Sequence, residues 1–383
     1  MKKTKEFSSE SLAISGGYDP ATSQNSVKPP IYQTSSFKFN SAAEGKAFFE
    51  NAKSEVPLEE RNASLIYSRL NHPNVVTAEF KLAQLDGAED AAFFESGMAA
   101  ISTSIMSFCK AGDLILMSSP LYGGTDTFIK KHLVQWDIQF LEFAPSASKE
   151  EIEALVQAHP RANKLSCIYL ESPANPTLSL TDFEMIAELR NKLAAKAVII
   201  ADNTYMGPIF QKPLAFGVDI NVYSATKYIG GHSDIIAGAA SGSEQLMKTV
   251  KKKRAILGNT ASAFTSWLLS RSMETVALRM TKQAENAMLV AEALKDHPKI
   301  KKMHFLGLLD KSSALYAVHH KQCNSAGAMI AFEIKGGEAE AFRFLDALSL
   351  VHLAISLGSN ETLASHPFTM SSSNMDEEDR LKN

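Results

Sequence analysis

The sequence predicts an α/β fold, a mostly parallel sheet flanked by helices, and three observations predict it. Short apolar runs recur through the middle of the chain. Each has the length of a strand and none alternates with period two, the pattern of strands covered on both faces. Helical stretches stand between them, and strand–helix–strand order means parallel pairing. Beyond about residue 262 that alternation stops, and a long helical stretch, one strand and one helix predict a smaller α+β domain.

In chain order, residues 1–62 form an N-terminal arm without a core pattern of its own. Pro29-Pro30 and Gln33-Thr34-Ser35-Ser36-Phe37 are extended rather than helical. The arm is expected to lie on another surface, with a second copy of the chain as a candidate. Residues 63–262 form the large domain. Its strands are Ala91-Ala92-Phe93-Phe94, Leu114-Ile115-Leu116-Met117, Cys167-Ile168-Tyr169-Leu170 and Ala197-Val198-Ile199-Ile200-Ala201. Helices run from Ser96-Gly97-Met98 to Cys109, over 149–159 and over 180–193. Residues 263–383 form the smaller domain. Within it, 266–296 reads as one helix because neither Pro nor Gly interrupts it, 328–334 as a strand, and 338–348 as a helix opened by Gly336-Gly337.

The 383 residues are 45% hydrophobic and 21% charged, the balance of a folded globular chain with a large core. Lys and Arg number 39 against 42 Asp and Glu, so the net charge is 39 − 42 = −3, which gives no reason to invoke nucleic acid or an anionic membrane. The one dense basic run, Lys251-Lys252-Lys253-Arg254, reads as a solvated helix face. No run of about 18 apolar residues spans a membrane, and the first ten residues lack the apolar core of a signal peptide. Cys109, Cys167 and Cys323 are too few and too scattered for a disulfide framework or a metal set. A cytoplasmic protein without a metal is expected.

In open α/β sheets ligands bind beyond the carboxyl ends of the strands. After Phe94 comes Glu95-Ser96-Gly97-Met98-Ala99-Ala100, a strand-to-helix turn whose backbone N–H groups suit a phosphate. After Ala201 comes Asp202, a carboxylate at the mouth of a buried strand. After Asn221-Val222-Tyr223 comes Ser224-Ala225-Thr226-Lys227-Tyr228-Ile229-Gly230-Gly231-His232, a Lys between hydroxyls and a Gly pair. A Lys in a desolvated pocket has a lowered pKa and can form a Schiff base. A Lys, an anion site, and an acid 227 − 202 = 25 residues earlier are what an aldehyde cofactor with a phosphate and a ring nitrogen requires, which is pyridoxal phosphate chemistry.

These residues carry a resemblance. Ser224 to His232 is similar to the lysine signature of the Cys/Met-metabolism pyridoxal-phosphate enzymes, which include cystathionine γ-synthase, cystathionine γ- and β-lyases, methionine γ-lyase and O-acetylhomoserine sulfhydrylase. Ile66-Tyr67-Ser68-Arg69, Glu95 to Ala100, Leu121-Tyr122-Gly123-Gly124-Thr125, Glu171-Ser172-Pro173-Ala174-Asn175-Pro176, Ala201-Asp202-Asn203-Thr204, Ser356-Leu357-Gly358 and Glu361 to Pro367 match in family order. The resemblance implies a fold type I, pyridoxal-phosphate transferase-like architecture. It implies that Lys227 holds pyridoxal 5'-phosphate and moves protons, that Asp202 pairs with the ring nitrogen, and that Tyr122 stacks on the ring and takes part in proton transfer. It implies that Asn175 fixes the ring oxygen side, and that Gly97, Met98, Ser224 and Thr226 bind the phosphate. Tyr67 and Arg69 resemble the pair that this family donates to the neighbouring subunit, so a homo-oligomer, a dimer of dimers, is implied.

Family members of the cystathionine γ-synthase and γ-lyase type often carry Glu before the Ser356-Leu357-Gly358 segment; here it is Ile355, and methionine γ-lyases typically have an apolar residue there. An apolar Ile355 beside Ser356 suits an uncharged thioether. Methionine γ-lyases usually place Cys after Tyr122-Gly123, where this chain has Gly124. The expectation is γ-elimination on methionine or a related sulfur amino acid, giving 2-oxobutanoate, ammonia and a thiol, with γ-replacement on an activated homoserine as the alternative. The family continues past its His-Pro segment into an Arg-Leu-Ser-Val-Gly-like motif whose Arg clamps the substrate carboxylate. Here 383 − 367 = 16 residues follow Pro367, and Arg380 stands in a different context. Either the chain is a truncated product, or the substrate is held differently, or catalysis is impaired; the expectation is cofactor binding with weak or no turnover, and the alternative of another class is a non-enzymatic, cofactor-binding relic or a subunit that completes a partner's site through Tyr67 and Arg69.

Overall fold

Seven strands hydrogen-bond into the main sheet among the residues that the computed structural model describes, 7–51 and 65–370. They are β1 (Asp90–Phe94), β2 (Leu114–Ser118), β3 (Gln139–Phe143), β4 (Leu165–Glu171), β5 (Val198–Asp202), β6 (Ile220–Tyr223) and β7 (Gly238–Gly242), in the order β1-β7-β6-β5-β4-β2-β3. The pairs β6·β5, β5·β4, β4·β2 and β2·β3 are parallel, and β7 runs antiparallel to both β1 and β6. The expected mostly parallel sheet is therefore observed.

Alternate residues of the apolar runs feed opposite faces. Ile115, Met117, Tyr169, Ile200 and Val222 pack with Ile101 and Ile105 of the helix Gly97–Phe108. Leu114, Leu116, Ile168, Leu170 and Ile199 are covered by the helices Lys149–Gln157 and Phe183–Leu193. Both of those helices begin at a side-chain cap: Ser148 forms a capping box with Glu151, and Asp182 accepts the N–H of Met185. Two strands escape the apolar signal for opposite reasons. β3 lies at the sheet edge and is half-exposed, whereas β7 is fully buried yet contains only Gly, Ala and Ser.

Parallel strands end on one side of the sheet, so the carboxyl ends of β4, β5 and β6 bring Glu171, Asp202 and Tyr223 together, with Glu171 and Asp202 in register. Towards the C-terminus, β8 (Ile300–His304) pairs antiparallel with β9 (Ala331–Ile334), and β10 (His352–Leu353) pairs with β11 (Leu363–Ala364).

Four expectations are corrected here. The stretch 266–296 is two helices, Ala263–Met273 and Val276–Leu294. The break needs no Pro or Gly, because Thr275 leaves helical geometry and its hydroxyl bonds the Ser272 carbonyl (3.3 Å) and accepts Arg279 Nε (3.1 Å). The strand begins at Ala331 rather than at 328, and the helix after it ends at Asp346. The described part of the arm, by contrast, does lie on another surface, that of its own chain. Ala13 is buried with Ala78 and Leu82, Lys28 pairs with Glu274 at 2.7 Å, and Trp267 Nε1 donates to the Pro29 carbonyl at 3.0 Å. The basic run is only partly solvated. Arg254 is buried on Glu79 (2.6 Å), and Lys251 bridges Glu79 (3.0 Å) and Asp90 (2.7 Å). Among the described residues, no helix is long and apolar enough to cross a membrane.

Candidate active site

Lys227 follows β6 in a short turn stitched by Lys227 N–H to the Ser224 carbonyl (3.0 Å) and Gly231 N–H to the Lys227 carbonyl (2.7 Å). Its Nζ donates to the Ser356 hydroxyl at 3.0 Å, which joins the large sheet to the C-terminal segment. Gly358 makes that approach possible. Its φ is +76°, and a Cβ there would sit 2.6 Å from the Tyr228 backbone nitrogen and 3.0 Å from the Lys227 carbonyl carbon. Burial pulls the Lys227 amine below its ordinary value, so a larger fraction is neutral and nucleophilic.

Asp202 ends β5 with only 7% of its surface exposed. One oxygen accepts the Thr204 N–H (3.0 Å) and hydroxyl (2.6 Å), and the other accepts the Tyr169 hydroxyl at 3.4 Å. Thr204 Oγ1 in turn accepts the Ser224 N–H at 2.8 Å, which ties the acid to the Lys227 turn. Glu171 ends β4 beside it. Its oxygens accept the backbone N–H groups of Tyr122 (2.6 Å) and Asn175 (3.2 Å), so it holds both turns that carry those residues. Burial raises the Asp202 carboxyl, and burial followed by the Asp202 charge pushes Glu171 up to about 8.

The helix Gly97–Phe108 opens under the same strand ends. Ser96 caps it by accepting the Ala99 N–H at 3.1 Å, which leaves the first N–H groups, those of Gly97 and Met98, without an intrahelical partner. Gly97 lets Ser224 close on this end, because a Cβ at 97 would lie 3.0 Å from Ser224 Cα. The Ser224 hydroxyl has no hydrogen-bond partner among the described residues. The Thr226 hydroxyl is engaged differently: it exchanges bonds with the Ala237 carbonyl (3.2 Å) and N–H (3.0 Å). Tyr122 is half-exposed.

A cavity of about 550 Å³ lies beside this cluster, lined in part by Thr226, Ile235, Ile236, Ser356 and Glu361. Ile355 is exposed, adjacent to Ser356. Thus Lys227, Asp202, Tyr122, Asn175, Gly97, Met98, Ser224, Thr226 and Ser356 belong to one cluster of turns and strand ends. Tyr67 and Arg69 do not join it within the chain. They lie on the surface, with the Arg69 guanidinium 5.5 Å from the Tyr67 ring centroid and 2.5 Å from the Ala255 carbonyl. Arg380 falls outside the described residues.

Sequence reasoning assigned no role to four residues that shape the site. Glu171 and Thr204 stand within quoted motifs, and Tyr169 shares the face of β4 with Glu171. Arg279 carried no local signal. It reaches from the helix Val276–Leu294 to the Tyr228 carbonyl (2.9 Å) and rests against Gly231, and burial pulls it down to about 10.

The residues fit pyridoxal phosphate. They supply a depressed amine, a helix start with a free hydroxyl beside it, and a buried carboxylate without a cationic partner among the described residues, suited to a protonated ring nitrogen.

The model of the family described as Cys/Met metabolism PLP-dependent enzyme matches residues 10–383. An L-methionine γ-lyase of Porphyromonas gingivalis is 39% identical over 353 residues, covering 92% of this chain and 84% of the relative. Another, of Pseudomonas putida, is 35% identical over 370 residues, covering 96% and 88%. Among solved structures, a cystathionine γ-synthase from Xanthomonas oryzae in complex with aminoacrylate and cysteine superposes with a TM-score of 0.87 at 29% identity, covering 99% of this chain and 91% of that one.

Proposed function

The chain belongs to the Cys/Met metabolism PLP-dependent enzymes, and from that premise we propose that it catalyses γ-elimination on methionine or a closely related thioether amino acid. Methionine and water would give 2-oxobutanoate, ammonia and methanethiol. The observation that carries this choice is the 39% identity to an L-methionine γ-lyase over 92% of the chain. The apolar Ile355, Ile235 and Ile236 beside the Lys227 cluster support it, since an uncharged thioether needs no counter-ion.

Pyridoxal phosphate, when bound, supplies an electron sink for negative charge developing at the substrate α-carbon. The residues do the rest. Lys227 would hold the cofactor through Nζ until the substrate amine displaces it, and the released neutral amine would then take the proton from Cα and deliver protons during elimination. Asp202 keeps the ring nitrogen protonated. Tyr122 covers the ring and gives its phenolic proton to the departing sulfur. Asn175 holds the ring oxygen side. Gly97 and Met98 N–H groups and the Ser224 hydroxyl bind the phosphate, and Thr226 joins them once its hydroxyl turns from Ala237. Ser356 orients Lys227 and contacts the substrate carboxylate.

Tyr67 and Arg69, exposed and away from their own chain's cluster, would complete the phosphate site of a partner in a dimer of dimers. The protein would comprise an arm (1–62), a cofactor domain (63–262) and a smaller domain (263–383), and work in the cytoplasm. γ-Replacement on an O-acyl-homoserine is the second reading, favoured by Gly124 in the place of the usual Cys. The purified protein loaded with cofactor and given methionine should form 2-oxobutanoate. No product from methionine, with turnover of O-acyl-homoserine plus cysteine, would replace the first reading by the second.

A further inference from the structure

Asp202 has a buried acidic neighbour that the elimination chemistry does not use. Glu171 is its register partner on the adjacent parallel strand, and the two carboxyls are only 3% and 7% exposed. Side chains at paired positions of parallel strands project to the same face. Neither carboxyl meets a Lys, Arg or His among the described residues, although burying two like charges without a counter-cation is costly. Among the described residues the Glu171 carboxylate accepts hydrogen bonds from backbone N–H groups alone. They fix the turn of Tyr122, whose ring covers the cofactor, and that of Asn175 on the other side.

We propose that Glu171 is a positioning residue for the cofactor ring. It fixes the Tyr122 and Asn175 turns and shares one proton with Asp202 until a cationic ring nitrogen seats there, so that loading the cofactor releases that proton to solvent. The inference rests on the placement of the ring nitrogen at Asp202 given above. Charge balances at each stage. Without cofactor the pair carries two carboxyls and one proton; with it, two carboxylates face a ring N–H⁺. Two carboxylate oxygens accepting two N–H groups are well satisfied, and what holds the proton on the pair is burial, followed by the mutual charge that pushes Glu171 up to about 8.

The other titratable groups facing the pair are phenols and one amine. Tyr169, Tyr205 and Tyr223 stay neutral, because burial pushes each of them well above its ordinary value. Lys227 has its Nζ on Ser356 instead of either carboxyl, and Tyr122 presents its backbone to Glu171.

Pyridoxine 5'-phosphate keeps the ring nitrogen and phosphate but has no aldehyde to react with Lys227, so it isolates the ring contact. Its binding to cofactor-stripped protein can be measured by calorimetry in buffers of different ionisation enthalpy, which counts protons. The phosphate contributes equally to every variant. Wild type should release more protons than Glu171→Gln, and its affinity should fall below about pH 8 by up to about tenfold per unit more steeply than that of Glu171→Gln. Glu171→Asp should restore the proton release while altering the circular dichroism of bound cofactor, because the shorter carboxylate cannot hold both turns. Equal proton release from wild type and Glu171→Gln overturns the proposal. If Glu171→Gln does not fold, no more protons released by wild type than by pyridoxine phosphate transferred to plain buffer overturns it. Asp202→Asn tests the underlying placement separately. Undiminished binding to that variant sinks the ring placement itself, whereas equal proton counts sink the role of Glu171 alone.

Discussion

Two buried carboxylates of this chain lie within the same core and have opposite surroundings. Glu79, on the helix Pro73–Asp86, meets Arg254 at 2.6 Å and Lys251 at 3.0 Å, and accepts the Phe93 N–H at 3.2 Å. Burial pushes its carboxyl up, yet Lys251 and then Arg254 bring it below the usual carboxylate range. Glu171 is as deeply buried, has only backbone donors and a second carboxylate, and is pushed up to about 8. The difference separates architecture from function. The first cluster is electrically complete and joins β1 to two helices. The second is complete only when something positive arrives, and it lies where the strands open.

Breaking the complete cluster should cost the most. Arg254→Ala removes the closest cation from the buried Glu79 carboxylate, leaving it Lys251 alone, and should destabilise the fold by about 3 kcal/mol, read as a lowered midpoint of urea unfolding. It should leave the kcat of the remaining folded enzyme within a few-fold. Asp202→Asn should do the reverse. If Asp202 faces the ring nitrogen as proposed, this should lower kcat/KM by about 10²–10³-fold, while above about pH 8, where the pair would carry two charges, the cofactor-free protein should unfold at a higher temperature because the repulsion with Glu171 is relieved. A lowered melting temperature there would erase the contrast.

The smallest and most graded effect is on pH. Glu79 is depressed in the folded state, so its contribution is present above the ordinary carboxylate range and is lost as pH falls through that range. Glu171 is raised from 4.5 to about 8, so the cofactor-free fold binds its proton more tightly than the unfolded chain does. Its contribution is present at low pH and is lost as pH rises from about 4.5 to about 8. The stability of cofactor-free protein should therefore fall over that interval in wild type and fall less in Glu171→Gln, as followed by thermal unfolding.

Much of the site was legible because its chemistry is written in short segments at strand ends. Lys227 with Ser224 and Thr226, Asp202 after an apolar run, and Gly97 at a strand-to-helix turn are each local signals, and parallel order brings them to one edge. Arg279 was not legible, since it reaches the Lys227 turn from 279 − 227 = 52 residues away with no motif around it. The break at Thr275 was equally silent, because side-chain bonds made it without Pro or Gly. β7 was silent too: a strand of Gly, Ala and Ser has no apolar pattern, and its place between β1 and β6 comes from the space available there.

By itself the sequence determined the α/β class, the strands that bury both faces, and the places of Lys227, Asp202 and the strand-to-helix turn at Gly97, because hydrophobic period and turn chemistry act over a few residues. Only the tertiary structure decided which charges find partners. Lys251 and Arg254 read as solvated cations until the fold brought Glu79 and Asp90 against them, and Glu171 read as part of a motif until β5 set Asp202 beside it. The physical reason is that the cost of a buried charge depends on what lies within a few ångströms of it, and those neighbours come from distant parts of the chain.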